Sequence, residues 1–169
     1  MTGRSVLILG GARSGKTRRA LALGEPFAQR IYIATGEALD AEMADRIAHH
    51  QLERGAAWIT VEAPLDLPTA IAALADGAAC IVDCLTLWLS NLMAARRDVA
   101  AATDELLGAI RACPATLIIV SNEVGLGLVP DTPLGRAFRD AQGRLNQAVA
   151  ATVTEVEFVA AGLPIRLKP

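Results

Sequence analysis

Eight residues near the start of the chain, Gly10-Gly11-Ala12-Arg13-Ser14-Gly15-Lys16-Thr17, follow directly on the apolar run Val6-Leu7-Ile8-Leu9 and lead into a stretch with helical spacing. They satisfy G-x-x-x-x-G-K-[ST] at every fixed position. A strand that turns through such a loop into a helix commits the chain to starting with a βα unit. The glycines let successive backbone N–H groups converge on phosphate oxygens, and the helix N-terminus adds positive potential. In that setting Lys16 neutralises the β- and γ-phosphates of a nucleotide and the Thr17 hydroxyl is a ligand for Mg2+.

Short apolar runs then alternate with helix-length segments. Strands are predicted at Ser5–Leu9, Ile31–Ala34, Ala57–Val61, Ala79–Asp83, Ala115–Ser121, Glu155–Ala160 and Pro164–Lys168. Helices are predicted at Gly15–Ala28, Asp40–Arg54, Asp66–Asp76, Thr86–Ala95, Val99–Ala112 and Leu134–Thr152. Several strands are continuous Val/Ile/Leu, as in strands covered on both faces. The alternation predicts a parallel, doubly wound α/β sheet. Only Ala161–Leu163 separate the last two runs, which is room for a hairpin, so one edge strand is expected to be antiparallel. With 169 residues and no repeat or linker, residues 1–169 are expected to form a single domain.

Composition narrows the chemistry. A charged fraction of 20% and a net charge of −2 fit neither a disordered chain nor a basic nucleic-acid surface. Of 16 basic residues, only Lys16 and Lys168 are lysines, and the 2 histidines are the adjacent pair His49 and His50. Cys80, Cys84 and Cys113 are odd in number and form no CxxC pair, so they are expected as small buried thiols in a reducing cytoplasm. No secretory signal is visible, and the nearly uncharged stretch Gly77–Ala95 contains Asp83, Ser90 and Asn91, which argues for a buried strand and helix rather than a membrane span. A mean hydropathy of +0.37 is high for a small soluble monomer and hints at apolar surface buried in an oligomer.

A nucleotide site also needs a carboxylate near the metal, at the end of a neighbouring strand. Asp83 ends Cys80-Ile81-Val82-Asp83 and suits either that Walker-B role or the N-cap of the following helix. An N-K-x-D base reader is absent, which argues against a signalling GTPase. In the predicted helix Asp40–Arg54, Leu39, Met43 and Ile47 form an apolar stripe with His50 beside it. His49 lies about 200° around from Ile47 at roughly 100° per residue, so the two imidazoles point differently. No third ligand at zinc spacing accompanies them. The pair is either a surface or half-buried feature or an imidazole nucleophile or acid/base beside a nucleotide.

Taken in order, GGARSGKT, YIATG at Tyr32–Gly36, DAEMADRIAHHQLERGAAWITVE at Asp40–Glu62, VDCLTLWLSN at Val82–Asn91, SNEVGLGLVP at Ser121–Pro130 and FRDAQGRLNQ at Phe138–Gln147 give the chain a family. It resembles the bifunctional adenosylcobinamide kinase/adenosylcobinamide-phosphate guanylyltransferases of cobalamin biosynthesis over nearly its whole length. The resemblance implies a RecA-like P-loop NTPase fold of about seven strands with helices on both faces, a homotrimer, and two reactions. The γ-phosphate of ATP or GTP moves to adenosylcobinamide. A histidine then takes GMP from GTP, releasing pyrophosphate, and passes it to adenosylcobinamide phosphate, giving adenosyl-GDP-cobinamide. By motif match the nucleophile is His49, with Lys16 the second catalytic residue and Mg2+ held by Thr17 and Asp83. Nucleotide contacts are implied for Gly10, Gly11, Ala12, Arg13, Ser14, Gly15, Lys16 and Thr17, for Ala34, Thr35 and Gly36, for His50, Gln51, Leu52 and Glu53, and for Glu62 and Asp83. Gly36 stands where the family usually has a small polar residue, which leaves backbone contacts there.

Two other functions compete: a P-loop kinase in which His49 is idle, and a non-catalytic RecA-like nucleotide-binding or motor subunit. A motor on nucleic acid wants a basic strip. Arg136, Arg139 and Arg144 share a predicted helix but spread over a wide arc, as a solvated or ion-paired face does. Glu123 is expected either to cap backbone amides of its own loop or to face the corrinoid.

Overall fold

The computed structural model describes residues 3–37, 55 and 57–169. Seven strands form one sheet: β1 (Ser5–Gly10), β2 (Arg30–Ala34), β3 (Ile59–Glu62), β4 (Ala79–Asp83), β5 (Thr116–Asn122), β6 (Glu155–Ala160) and β7 (Leu163–Lys168). Their order is β3-β2-β4-β5-β1-β6-β7. All neighbours are parallel except β6 and β7, which form the expected antiparallel edge pair. Between them Ala161 (φ +52°) and Gly162 (φ +79°) both take left-handed backbone, the pairing a two-residue hairpin turn requires.

Numbered among the described residues, the helices are α1 (Lys16–Gly24), α2 (Leu67–Ala72), α3 (Leu85–Ala94), α4 (Val99–Ala112) and α5 (Pro133–Thr152). On one face of the sheet, Ala20 of α1 packs with Val6, Ile8, Ile81 and Ile118. On the other, Leu67, Ile71, Trp88, Leu89, Leu106, Ile110, Leu145 and Val149 from α2 to α5 meet Leu7, Leu9, Cys80, Val82, Leu117 and Ile119. β1 is buried along its whole length, which is why its sequence carries no alternation. Starts are set by local chemistry. Asp98 caps α4, its Oδ1 accepting from Ala100 N and Ala101 N, and Thr132 Oγ1 caps α5 ahead of Pro133.

The strands at 79–83 and 155–160 and the helix at 99–112 match expectation residue for residue. Three of the described segments differ by more than one residue at an end. The first helix stops at Gly24 rather than Ala28, with Pro26, which has no N–H to donate, just beyond it. The helix predicted for Asp66–Asp76 ends at Ala72, where Leu74 N bonds Ile71 O to close a tight last turn. The third strand begins at Ile59 because a turn at Ala57-Trp58 sends the indole inward, where it is 8% exposed. The predicted helix Asp40–Arg54 lies outside the described residues. The three cysteines are free and buried, and no described helix is long and apolar enough to cross a membrane.

Candidate nucleotide site

Parallel register converts the strand order into a site. Gly10 pairs with Asn122, Val120 with Asp83, Asp83 with Ala34, and Ala34 with Glu62. The carboxyl ends of β1, β5, β4, β2 and β3 therefore stand in one row, the edge where α/β sheets hold ligands. At about 4.8 Å per strand, Asp83 stands two strands from Gly10 and Glu62 four, or roughly 10 and 19 Å. Glu62, exposed at the far end, is thus beyond the phosphates that the loop can hold and within the length of a nucleotide.

The loop itself runs between β1 and α1. Gly10 (φ +156°) is compelled: a Cβ there would overlap the carbonyl oxygen of Val159 on β6. Gly15 (φ +98°) is the N-cap of α1, and a Cβ would stand 3.1 Å from Gly162 Cα. The hairpin turn supports the loop from outside, since Gly162 N donates to Ser14 O at 2.8 Å. The loop's other flank is tied by Glu123 N donating to Gly10 O at 3.1 Å. Gly11, Ala12 and Arg13 are exposed, with Arg13 at φ +54°, and Ser14 and Thr17 are half-buried. Lys16 is only 7% exposed. Its Nζ donates to Gly11 O at 2.5 Å and faces Ser14 Oγ at 3.4 Å. Burial lowers its pKa, and the nearby Cys84 and Asp83 partly offset that. Burial pushes the Cys84 thiol up to about 11, with Asp83 adding to the shift.

Asp83 does not cap the next helix: the N-cap of α3 is Cys84. The Asp83 side chain shares the α1 face with Tyr32 and receives the Tyr32 hydroxyl on Oδ2. Thr35, fully buried, ties β2 to β4. Its Oγ1 donates to Cys84 O at 2.7 Å and accepts from Cys84 N at 2.8 Å, and its N donates to Asp83 O at 3.2 Å. Its side chain is thus committed to the scaffold, while Ala34 and Gly36 flank it half-buried. Asn91 Nδ2 holds the same corner through Thr35 O and Pro64 O. Glu123 Oε1 accepts Gly125 N at 2.7 Å, so it caps its own loop. Under that loop, buried Ser121, Gln142 and Asn146 bond one another, and Asn146 Nδ2 reaches Asn122 O. His49, His50, Gln51, Leu52 and Glu53 lie outside the described residues. Sequence inspection passed over Tyr32, Trp58 and Gly162 as site residues; a glycine at the hairpin turn was the available signal for the last.

Residues 6–167 match the model of the cobinamide kinase / cobinamide phosphate guanyltransferase family. The chain is 43% identical over 179 residues to the bifunctional adenosylcobalamin biosynthesis protein CobU of Salmonella typhimurium, covering 96% of this chain and 99% of that one. It is 45% identical to the bifunctional adenosylcobalamin biosynthesis protein CobP of Pseudomonas aeruginosa, covering 96% of each. Among solved structures it is similar in fold to a Pyrococcus horikoshii protein (TM-score 0.59, 11% identity, 99% of this chain and 87% of that one). It is also similar to the bacteriophage phi6 P4 protein solved in complex with ADP (TM-score 0.50, 16% identity, 95% of this chain and 52% of that one). The phosphate loop, the row of strand ends and the near full-length kinship agree: the chain belongs to the cobinamide kinase / cobinamide phosphate guanyltransferase family of adenosylcobalamin biosynthesis.

Proposed function

We propose that this chain performs both family reactions at the row of strand ends, with ATP or GTP as phosphate donor and GTP as guanylyl donor. One observation carries the proposal: Lys16 is buried inside a glycine-rich loop, within the field of a carboxylate that ends a strand two places away. That is a pocket built for phosphate charge. The loop N–H groups from Gly11 to Thr17 hold the phosphates, and Lys16 stabilises the charge that develops on the departing group. In the kinase step the hydroxyl oxygen of adenosylcobinamide bonds to the γ-phosphorus as the bond to the β,γ-bridging oxygen breaks, releasing ADP or GDP and the hydroxyl proton. In the second step the His49 imidazole bonds to the α-phosphorus of GTP as the bond to pyrophosphate breaks. Adenosylcobinamide phosphate then displaces His49, which carries the group between two in-line transfers.

Thr17 and Asp83 fit Mg2+. They offer a hydroxyl and a carboxylate, and no group of three His, Cys, Asp or Glu among the described residues could cage a metal unaided. Such a donor set suits a cation that completes its shell with phosphate oxygens and water. When bound, Mg2+ supplies charge neutralisation across the phosphates. Ala34, Gly36 and Glu62 are assigned to the nucleoside side of the row, where about 19 Å separates Glu62 from Gly10; His50, Gln51, Leu52 and Glu53 are assigned to the same nucleotide by motif match alone. The enzyme works in the cytoplasm as a homotrimer. Supporting that are the buried free thiols and the exposed Leu163, Ile165 and Leu167 of β7.

The test is chemical. Incubated with GTP and Mg2+, the protein should gain one GMP by intact mass, as an acid-labile, alkali-stable phosphoramidate. His49→Ala should abolish the adduct and His50→Ala should not. An adduct that survives loss of His49 refutes the assignment, and the absence of any adduct leaves a kinase alone. Lys16→Ala should abolish phosphate transfer to adenosylcobinamide.

A further inference from the structure

Tyr32 is the only tyrosine in the chain, on β2 one strand in from the sheet edge, and 3% exposed. Register explains where its hydroxyl goes. Tyr32 pairs with Ile81, so Asp83 is its diagonal neighbour on the same face of the sheet, within reach of a long aromatic side chain. The hydroxyl donates to Asp83 Oδ2. A buried tyrosine needs a partner for its O–H, and this one has found the carboxylate at the phosphate end of β4.

The ring is held from behind. The Trp58 indole meets it edge-on, with centroids 6.3 Å apart and planes at 83°. The indole in turn occupies the space a Cβ at Gly24 would fill, with Cζ2 only 2.9 Å from that position. The end of α1, the turn before β3, and β2 therefore stack in series against Asp83. The phosphate loop opens the same helix that this stack closes.

We propose that Tyr32 is a positioning residue for metal–nucleotide binding. By fixing one carboxylate oxygen it sets the plane of Asp83 before the cation arrives. This rests on the assignment of Asp83 to the metal made above. A phenylalanine keeps the ring on Trp58 and removes the hydroxyl that reaches Asp83, and the pairing with Asp83→Asn below assigns the effect to that contact.

The experiment measures equilibrium binding of a fluorescent GTP analogue to the full chain, without Mg2+ and across a MgCl2 titration. Tyr32→Phe should leave Mg2+-free affinity unchanged and raise the Mg2+ midpoint about tenfold, the usual scale for removing a group that orients a metal ligand. Asp83→Asn should raise the midpoint at least as far, and adding Tyr32→Phe to it should change nothing more. If Tyr32→Phe leaves the midpoint in place while Asp83→Asn moves it, the proposal is wrong and the metal assignment stands. If Tyr32→Phe weakens binding equally with and without Mg2+, or adds its full effect to Asp83→Asn, Tyr32 does not act through Asp83. If Asp83→Asn itself moves nothing, the metal assignment falls and the proposal with it.

Discussion

Replacing Gly24 by alanine inverts the usual rule for helices. Within a helix, alanine is favoured over glycine by up to about 1 kcal/mol, and less at a terminus. Gly24 ends α1 and is buried, and its new Cβ would stand 2.9 Å from Trp58 Cζ2 and closer still to Cη2. Carbon pairs settle at about 3.5–4.0 Å, so relieving the Cη2 contact makes the indole retreat by about 1 Å or more. It has little room, being 8% exposed and packed on Tyr32. Forcing a methyl into such a site costs about 1–3 kcal/mol. With the helix gain set against it, Gly24→Ala should be destabilising by about 1–2 kcal/mol. For a chain of this size that is a melting temperature about 2–8 °C lower. Thermal unfolding followed by circular dichroism measures it, with the near-ultraviolet band of Trp58 read in a Trp88→Phe background. Trp58→Phe removes the two clashing atoms, so adding Gly24→Ala to it should cost nothing further. A Gly24→Ala protein as stable as the parent, with an unaltered tryptophan band, would refute the packing argument.

Other outcomes follow from charges. Lys16→Met should cut phosphate transfer by at least about a hundredfold. It should leave the melting temperature unchanged or raise it, because burial already disfavours the ammonium, as its lowered pKa records. A large fall in both would make Lys16 a structural residue. Glu157, 3% exposed, receives Arg19 at 2.7 Å through both nitrogens of a fork, and that bond holds its pKa below the usual carboxylate value. The folded pKa is depressed, so the stabilisation is complete above the ordinary carboxylate range and is lost as pH falls through the folded value. Glu157→Gln should therefore be less stable by about 1–3 kcal/mol at pH 7. It should converge with the parent in urea titrations at acid pH, whereas an unchanged gap at every pH would remove the ion pair as the cause.

The fold was legible where burial is two-sided. Cys80-Ile81-Val82 and Val156 to Val159 contain no competing turn residue, and their strands fell where the pattern put them. The phosphate loop was legible because eight contiguous residues carry both its glycines and its charge. Trp58 and Tyr32 were not. They stand 26 and 51 positions from the residues they serve, and nothing near either hints that an indole replaces a Cβ or that a hydroxyl seeks a carboxylate. The false extension of α1 past Gly24 has a different origin, since Pro26 stands in the sequence just beyond the point where the helix stops. Glu123 shows the reverse: a charged residue in a motif that turns out to bond the backbone two residues on.

The Gly162–Ser14 bond joins residues separated by most of the chain, and β1 lies between β5 and β6. The phosphate loop is thus made well before the strands and the turn that wall it. Until residues 116–162 emerge, Gly10 has neither neighbouring strand and Ser14 O lacks the Gly162 amide that holds it. Such non-local closure is slow. The support of the phosphate loop therefore waits on the hairpin that closes the sheet.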